Sequence, residues 1–277
     1  MTALSNAPLH ASIEFREVIY SVTRRKQRSD SSSELAILRN LSLSIAEGET
    51  VVLLGRSGSG KTTVLRLINR MLVPSSGEVL VNGRSTADWD VFALRRSMGY
   101  VIQEAGLFPH FTVAENIGLV PTLENWDAAR IASRVKELLE LVGLDAGNFL
   151  SRYPRQLSGG QRQRVGVARA LAADPRILLM DEPFGALDPV TRGDLQAEFA
   201  ALAKRLRKTI VFVTHDLREA LLLGSRIVLL QEGKIVANDR PENFLRLPHE
   251  EVRAFVASLH GAPTDSGSLR IAKGEIA

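Results

Sequence analysis

One segment of the chain reads Gly55-Arg56-Ser57-Gly58-Ser59-Gly60-Lys61-Thr62 and fits the pattern G-x-x-x-x-G-K-[ST]. It follows an apolar run at 51–54 that is typical of a buried strand, and residues 63–69 after it have the pattern of a helix. This order predicts a phosphate-binding site, because the backbone N–H groups of the loop and the helix N-terminus both favour an anion. The alternative is a chance glycine-rich turn, which the strand and the helix on either side disfavour.

The loop also predicts how ATP and Mg²⁺ would be held. Lys61 would reach the β- and γ-phosphates, and the hydroxyl of Thr62 would bind the metal ion. The predicted nucleotide contacts of this segment are Gly55, Arg56, Ser57, Gly58, Ser59, Gly60, Lys61, Thr62 and Thr63.

Two carboxylates follow a second apolar run, at 177–180. A buried strand that ends in Asp181 would bring this carboxylate to the Mg²⁺ near Lys61 and Thr62. Glu182 lies one residue further, points the other way and would polarise the water that attacks the γ-phosphate. A strand that simply ends in solvated acids is the alternative, but the earlier phosphate loop favours the metal and base roles.

The composition is that of an ordinary globular protein. Of 277 residues, 45% are apolar and 24% are charged, and the formal net charge is +4. This small and dispersed positive excess does not argue for nucleic acid, and we expect no nucleic-acid partner. There is no cysteine, which fits a reducing compartment, and the N-terminus has no pattern of a secretory signal.

The pattern of apolar residues predicts an α/β fold with a mainly parallel sheet. The phosphate loop at 55–62 makes the core that of a P-loop NTPase in this prediction. Strands are expected at 12–20, 41–45, 51–54, 77–81, 99–102, 177–180, 210–213, 227–230 and 234–237. The first strands have loops between them, so they predict an antiparallel β patch at the N-terminal end. Residues 23–34 are basic and then rich in serine, which predicts a flexible loop.

We expect one domain at 11–240, with a helical subdomain at about 104–172 inserted in the α/β core. Ile131, Val135, Leu138 and Val142 recur there at the spacing of an amphipathic helix. Residues 241–277 are expected to form a short tail with a helix at 250–259.

A third motif lies at the predicted start of a helix at 162–172. It reads Leu157-Ser158-Gly159-Gly160-Gln161. Ser158 is a good N-cap, and the paired glycines would let a phosphate approach the backbone at the helix N-terminus. A capped helix start with glycines in the turn is the alternative.

Taken together, these motifs resemble those of ATP-binding cassette (ABC) proteins over about residues 13–237. In this resemblance, 55–62 is the Walker A loop, 177–181 the Walker B strand and 157–161 the signature motif. Gln103 matches the Q-loop glutamine that touches Mg²⁺ and the attacking water. Residues 185–188, which end in Asp188, resemble the D-loop, and Thr214-His215-Asp216 resembles the switch-histidine motif.

The resemblance implies a mechanism that needs two copies of the chain. In the family, the signature residues of one protomer, here Ser158, Gly159, Gly160 and Gln161, bind the ATP held by Lys61 of the other. His215 would contact the γ-phosphate and help to hold Glu182 and water in line. Hydrolysis removes the γ-phosphate between the protomers, so the dimer opens.

The residue on which the family stacks the adenine ring of ATP is not matched in this chain. The family stacks adenine on an aromatic residue just after the first strand, where this chain has Val22. Tyr20 lies close and is our candidate for this contact, although it is equally compatible with a role as a sheet residue.

The resemblance further implies membrane partners and a class of solute. Leu107, Phe108 and Phe111 would form an apolar patch for a permease, unless they pack inside the insert. The amino-acid sequence at 106–117 resembles that of importers of quaternary amines such as glycine betaine and choline. Such importers work with a solute-binding protein. We therefore expect a subunit at the cytoplasmic face of the membrane, without the CBS module of many such ATPases. Importers of amino acids or other solutes, and lipid or drug exporters, are the alternatives.

Overall fold

The computed structural model describes residues 11–25, 32–103 and 105–259, which form two β-sheets and the helices packed on them. The strands are β1 (Ala11–Arg25), β2 (Ser32–Ala46), β3 (Thr50–Leu54), β4 (Ser76–Val81), β5 (Arg84–Ser85), β6 (Met98–Val101), β7 (Ile177–Asp181), β8 (Thr209–Thr214), β9 (Arg226–Gln231) and β10 (Lys234–Asp239). The helices are α1 (Lys61–Ile68), α2 (Val91–Arg96), α3 (Val113–Leu123), α4 (Ala128–Leu141), α5 (Ala146–Phe149), α6 (Gly159–Leu171), α7 (Pro189–Leu206), α8 (Leu217–Leu223), α9 (Pro241–Phe244) and α10 (Glu250–Leu259).

The larger sheet carries the phosphate loop. Its order is β10-β9-β3-β8-β7-β6, and all neighbours are parallel except β10, which runs antiparallel to β9. Strand β3 is buried on both faces, as strands of parallel sheets are. Val51 and Leu53 pack into one apolar cluster, and Val52 and Leu54 pack into the other. The predicted α/β fold with a mainly parallel sheet is confirmed.

The smaller sheet is antiparallel, in the order β2-β1-β4-β5. Ile13 and Phe15 of β1 share an apolar cluster with Val51 and Leu53 of β3 and with Val64 of α1. This cluster holds the small sheet against the nucleotide-binding core and confirms the antiparallel patch that we expect at the N-terminal end.

The prediction of a loop at 23–34 is wrong at both ends of that segment. The β1–β2 ladder continues to the pair Arg25↔Ser32, through Val22↔Leu35 and Thr23↔Glu34. Polar residues take this conformation because the ladder satisfies their backbone groups, whatever their side chains prefer. The centre of the predicted loop, at 26–31, lies outside the described residues.

The segment that we predict as a helical subdomain forms α3 to α6. Val113 and Ile117 of α3 and Val135 and Leu138 of α4 are buried in one apolar cluster with α6. Helix α6 begins at Gly159 rather than at 162, because Ser158 caps it: its hydroxyl accepts a bond from the backbone N–H of Gln161.

The C-terminal segment packs on the core. The predicted helix at 250–259 is observed as α10, and Phe244 and Val252 are buried in the same cluster as the helical segment. The domain boundary at 240 stays a prediction. Among the described residues, no helix is both long and apolar enough to cross a membrane.

Candidate nucleotide site

The phosphate loop connects β3 to α1 by close backbone contacts. A Cβ atom at position 55 would lie 2.5 Å from the carbonyl oxygen of Leu230, so this position requires glycine. Gly58 has φ = 79°, in the left-handed region that glycine adopts without strain. The loop is therefore shaped by two neighbouring strands of the larger sheet, at the edge where α/β proteins bind ligands.

The side chain of Lys61 bonds to the backbone of this loop. It is buried, and its Nζ donates to the carbonyl oxygens of Gly55 at 2.8 Å and of Arg56 at 2.9 Å. Burial lowers the pKa of Lys61, while the nearby carboxylates of Glu182 and Asp181 raise it. The ammonium group is thus held at the loop by groups that a phosphate oxygen can replace.

Thr62 and Asp181 meet in the structure, although 119 positions separate them in the sequence. The hydroxyl of Thr62 donates to Oδ1 of Asp181 at 2.9 Å, and the hydroxyl of Tyr100 lies 3.5 Å from Oδ2. Burial is the largest cause of a raised pKa at Asp181, and the bond from Thr62 opposes it. A hydroxyl and a carboxylate side by side fit Mg²⁺, which takes few protein oxygens and fills its other positions with water and phosphate.

Glu182 turns away from this pair. Its φ is 45°, and its backbone N–H donates to the carbonyl oxygen of Val213 on the adjacent strand. Its Oε2 lies 3.2 Å from Nδ1 of His215, the residue that follows β8. The carboxylate and the imidazole are therefore together at the end of the sheet, as their predicted roles require.

Glu182 and His215 open onto a cleft of about 510 Å³ beside the phosphate loop. Ser57 of the loop, Glu182 and His215 line one side, and Phe255 and Ser258 of α10 line the other. Arg56 also faces the cleft and forms an ion pair with Glu251 of α10, with 2.6 Å between Nε and Oε1. The motif pattern does not indicate this contact, because a glutamate in the first turn of a helix is expected from the helix dipole alone.

The signature residues lie apart from this cleft. Ser158 and Gly159 are exposed, and Gly160 packs beneath Thr191 in the first turn of α7. The backbone N–H of Ser158 donates to Oε1 of Gln161 at 2.9 Å, and the backbone N–H of Gln161 donates to the hydroxyl of Ser158 at 3.2 Å. Within the described part of the chain, no hydrogen bond joins them to the phosphate loop.

Three further predicted residues are Asp188, Gln103 and Tyr20. Asp188 caps α7 by accepting from the N–H of Thr191 at 3.0 Å, and this bond lowers the pKa of Asp188. Gln103 is exposed just beyond β6, and its Nε2 lies 3.2 Å from where a Cβ of Gly185 would be. Tyr20 is half-buried against the cluster between the sheets, opposite Leu38 in the β1–β2 ladder. Its role as an adenine platform stays a prediction.

The fold and this arrangement of loop, carboxylates and histidine define an ATP-binding cassette. The chain belongs to the ABC transporter family, whose profile matches residues 38–185.

Proteins with assigned solutes are similar to it. The osmoprotectant import ATP-binding protein OsmV of Salmonella typhimurium is 52% identical over 82% of this chain and 59% of its own length. The choline transport ATP-binding protein OpuBA of Bacillus subtilis is 52% identical over 79% of this chain and 58% of its own length. The glycine betaine uptake system ATP-binding protein YehX of Escherichia coli is 53% identical over 79% and 71%. The chain thus spans less than two thirds of the first two relatives.

Solved structures agree with the fold. The ATP-binding cassette MJ0796, a dimer in a post-hydrolysis state bound to ADP and Pi, has a TM-score of 0.72 and 33% identity. That match covers 83% of this chain and 98% of the other. The cbiO1 protein of Clostridium perfringens, part of the ABC transporter complex cbiONQ, has a TM-score of 0.74 and 25% identity over 90% of this chain and 95% of its own.

Proposed function

We propose that this chain binds and hydrolyses ATP to drive import of a quaternary amine, such as glycine betaine or choline, through a separate permease. The observation that carries the ATPase role is the set of side chains at the carboxyl ends of β3, β7 and β8. It combines a buried lysine, a hydroxyl–carboxylate pair and a carboxylate–imidazole pair. Such groups suit phosphoryl transfer to water, because its catalysis is mainly positioning and charge stabilisation.

Each group has a proposed role. Lys61 would exchange its bonds to the loop carbonyls for bonds to the β- and γ-phosphate oxygens. Thr62 and Asp181 would hold Mg²⁺, which neutralises phosphate charge when bound. Gln103 would add a contact to the ion from the side of Gly185.

Glu182 would accept the proton of the attacking water. His215 lies within hydrogen-bond distance of this carboxylate, so it would orient Glu182 and contact the γ-phosphate. The cleft beside them leaves room for water and phosphate.

A second copy of the chain would complete the site. The exposed Ser158 and Gly159 are not used by the phosphate loop of their own chain, and the ATP-binding cassette MJ0796 forms a dimer. A triphosphate is better stabilised by donors on both of its sides in a site closed to water.

A permease would dock on the helical segment. Phe108 and Phe111 are 48% and 36% exposed, and their rings contact each other at a centroid distance of 5.4 Å. Phe111 also lines an apolar groove of about 620 Å³ between α3 and α4, together with Leu119 and Ile131. Leu107 is half-buried against the core instead. Two exposed aromatic rings beside an apolar groove suit a short amphipathic helix of a membrane partner, which would hold the chain at the cytoplasmic face of the membrane.

The solute is proposed from the named relatives, since the ATPase would not touch the cargo. The test is uptake of labelled glycine betaine and choline by cells that express the wild type or the Glu182→Gln variant with the native permease and solute-binding protein. Loss of either uptake in the variant supports the proposal. Unchanged uptake of both, with ATP hydrolysis by the wild type, excludes these solutes and redirects the search to amino acids or exported lipids.

A further inference from the structure

Glu219 is a buried carboxylate that none of the roles above uses. It lies in α8 and is only 5% exposed. Its Oε2 accepts a bond from the hydroxyl of Thr214, the last residue of β8. Its Oε1 accepts a bond from Nε2 of Gln196 in α7, at 2.7 Å. One side chain therefore joins α8, the end of β8 and α7.

Packing alone does not require a carboxylate at this position. Burial disfavours the charged form and raises the pKa of Glu219, and none of the ion pairs between described residues includes it. An apolar side chain of similar size would avoid this cost. What an apolar side chain cannot do is accept bonds from two donors on different elements, which would then be left unpaired.

The first donor, the hydroxyl of Thr214, also bonds to the backbone next to His215. The hydroxyl of Thr214 donates to Glu219 and also accepts a bond from the backbone N–H of Asp216, at 2.9 Å. His215 lies between Thr214 and Asp216 in the chain. The hydrogen bond that links these two neighbours therefore depends on the orientation of the Thr214 hydroxyl. That orientation is set by Glu219.

The second donor belongs to the helix that follows the D-loop. In the first turn of α7, Arg192 donates to the carbonyl oxygens of Gly185 at 3.3 Å and Leu187 at 3.0 Å. Gln196 lies one helical turn further along α7 and reaches Glu219. The segment 185–188 is thus connected to the switch histidine through α7 and Glu219.

We propose that Glu219 is a positioning residue that couples the D-loop segment 185–188 to His215, through Gln196 on one side and Thr214 on the other. This role rests on the ATP hydrolysis proposed above. In this role Glu219 holds the imidazole of His215 beside Glu182. It also couples the position of the imidazole to α7, and the signature residue Gly160 packs on the first turn of that helix.

The test compares Glu219→Ala, Glu219→Gln and Gln196→Leu in the purified full-length chain. Asp194→Asn is the matched control, since it removes an exposed carboxylate from α7. We expect Glu219→Ala and Gln196→Leu to lower kcat for ATP hydrolysis roughly ten- to a hundredfold, as small misplacements of catalytic groups do, with KM for ATP little changed. Glu219→Gln should restore most of kcat, because an amide can accept from Thr214 while the Gln196 amide turns over. The double variant Glu219→Ala/Gln196→Leu should be no slower than the slower single variant.

Hydrogen exchange of the Asp216 amide in the nucleotide-free chain gives a readout that needs no hydrolysis. Glu219→Ala should accelerate this exchange, while Asp194→Asn leaves it unchanged. A wild type that hydrolyses no ATP would overturn the proposed function, and the exchange measurement would still decide the positioning role. Wild-type kcat in Glu219→Ala, a loss confined to KM, or an Asp216 amide as protected as in the wild type would overturn the role of Glu219.

Discussion

Asp181 and Glu182 are adjacent in the chain but serve different neighbours. Asp181 ends β7 and bonds to Thr62 of the phosphate loop. The left-handed backbone conformation at Glu182, with φ = 45°, turns the next carboxylate to His215. This conformation costs a non-glycine residue some free energy, and here it points two neighbouring carboxylates at different partners.

The Glu182→Gln variant tests the separation of these two carboxylates. We expect ATP hydrolysis to fall about 10²- to 10⁴-fold, since an amide cannot accept the proton of the water. ATP binding should be retained, because Lys61, Thr62 and Asp181 are untouched. Phosphate release and equilibrium binding measure the two effects. Glu232→Gln, at an exposed turn, is the control, and hydrolysis at the wild-type rate in Glu182→Gln would refute the assignment of the base.

At the scale of elements, α10 is attached to the phosphate loop by the ion pair between Glu251 and Arg56. Glu251 is 11% exposed at its side chain, whereas Arg56 is 63% exposed. The pair lies beside the cleft that Ser57 and Phe255 line, so α10 forms one wall of that cleft.

Glu251→Gln should loosen this wall. The loss in the free energy of unfolding should be on the order of 0.2–1 kcal/mol, because the pair is partly exposed and screened by salt. Hydrogen exchange within α10 should become faster, and the difference from the wild type should shrink at high ionic strength. Glu250→Gln, on an exposed residue of the same helical turn, is the control. Equal exchange in both variants would show that the ion pair does not hold α10.

The helical segment exposes two aromatic rings, Phe108 and Phe111, at the proposed permease contact. The double variant Phe108→Ser/Phe111→Ser should lose co-purification with the permease, because it removes the exposed rings of the proposed contact. ATP hydrolysis by the purified chain should persist, since the nucleotide cleft does not include these residues. Phe92→Ser, on an exposed ring of α2, is the matched control. Retained co-purification of the double variant would place the permease contact elsewhere.

At the scale of the whole molecule, our proposal gives one chain two incomplete halves of a site. Among the described residues, no hydrogen bond connects the phosphate loop to the signature residues. Dimerisation is therefore expected to depend on both motifs at once.

Gly159→Asp tests the dimer without disturbing the fold. A Cβ at this position would lie 3.5 Å from Cδ2 of Leu187 and 4.0 Å from Nη2 of Arg162, both ordinary contacts, so the change is tolerated sterically. The added carboxylate would face the phosphates of the partner's ATP and repel them. In the Glu182→Gln background we expect ATP to produce a dimer, measured by light scattering, and Gly159→Asp to abolish it. Gly193→Asp, where a Cβ meets nothing within 4 Å, is the matched control. A dimer in the presence of Gly159→Asp would contradict the sandwich arrangement.

The sequence alone determined the family, the parallel sheet and the identity of the chemical groups. These follow from local patterns: an apolar run that must be buried, glycines that a tight loop needs, and carboxylates at the end of a strand. Residues that depend on local spacing, such as the Ser158 cap, were predictable for the same reason.

Only the tertiary structure decided which distant groups outside the predicted motif contacts meet. The contacts of Arg56 with Glu251 and of Glu219 with Gln196 join segments that no periodicity relates. The extent of the β1–β2 ladder was also decided there, because cross-strand hydrogen bonds override the turn preference of serine. Short-range patterns specify elements, whereas the burial of a polar group is stable only once a partner from elsewhere in the chain is in reach.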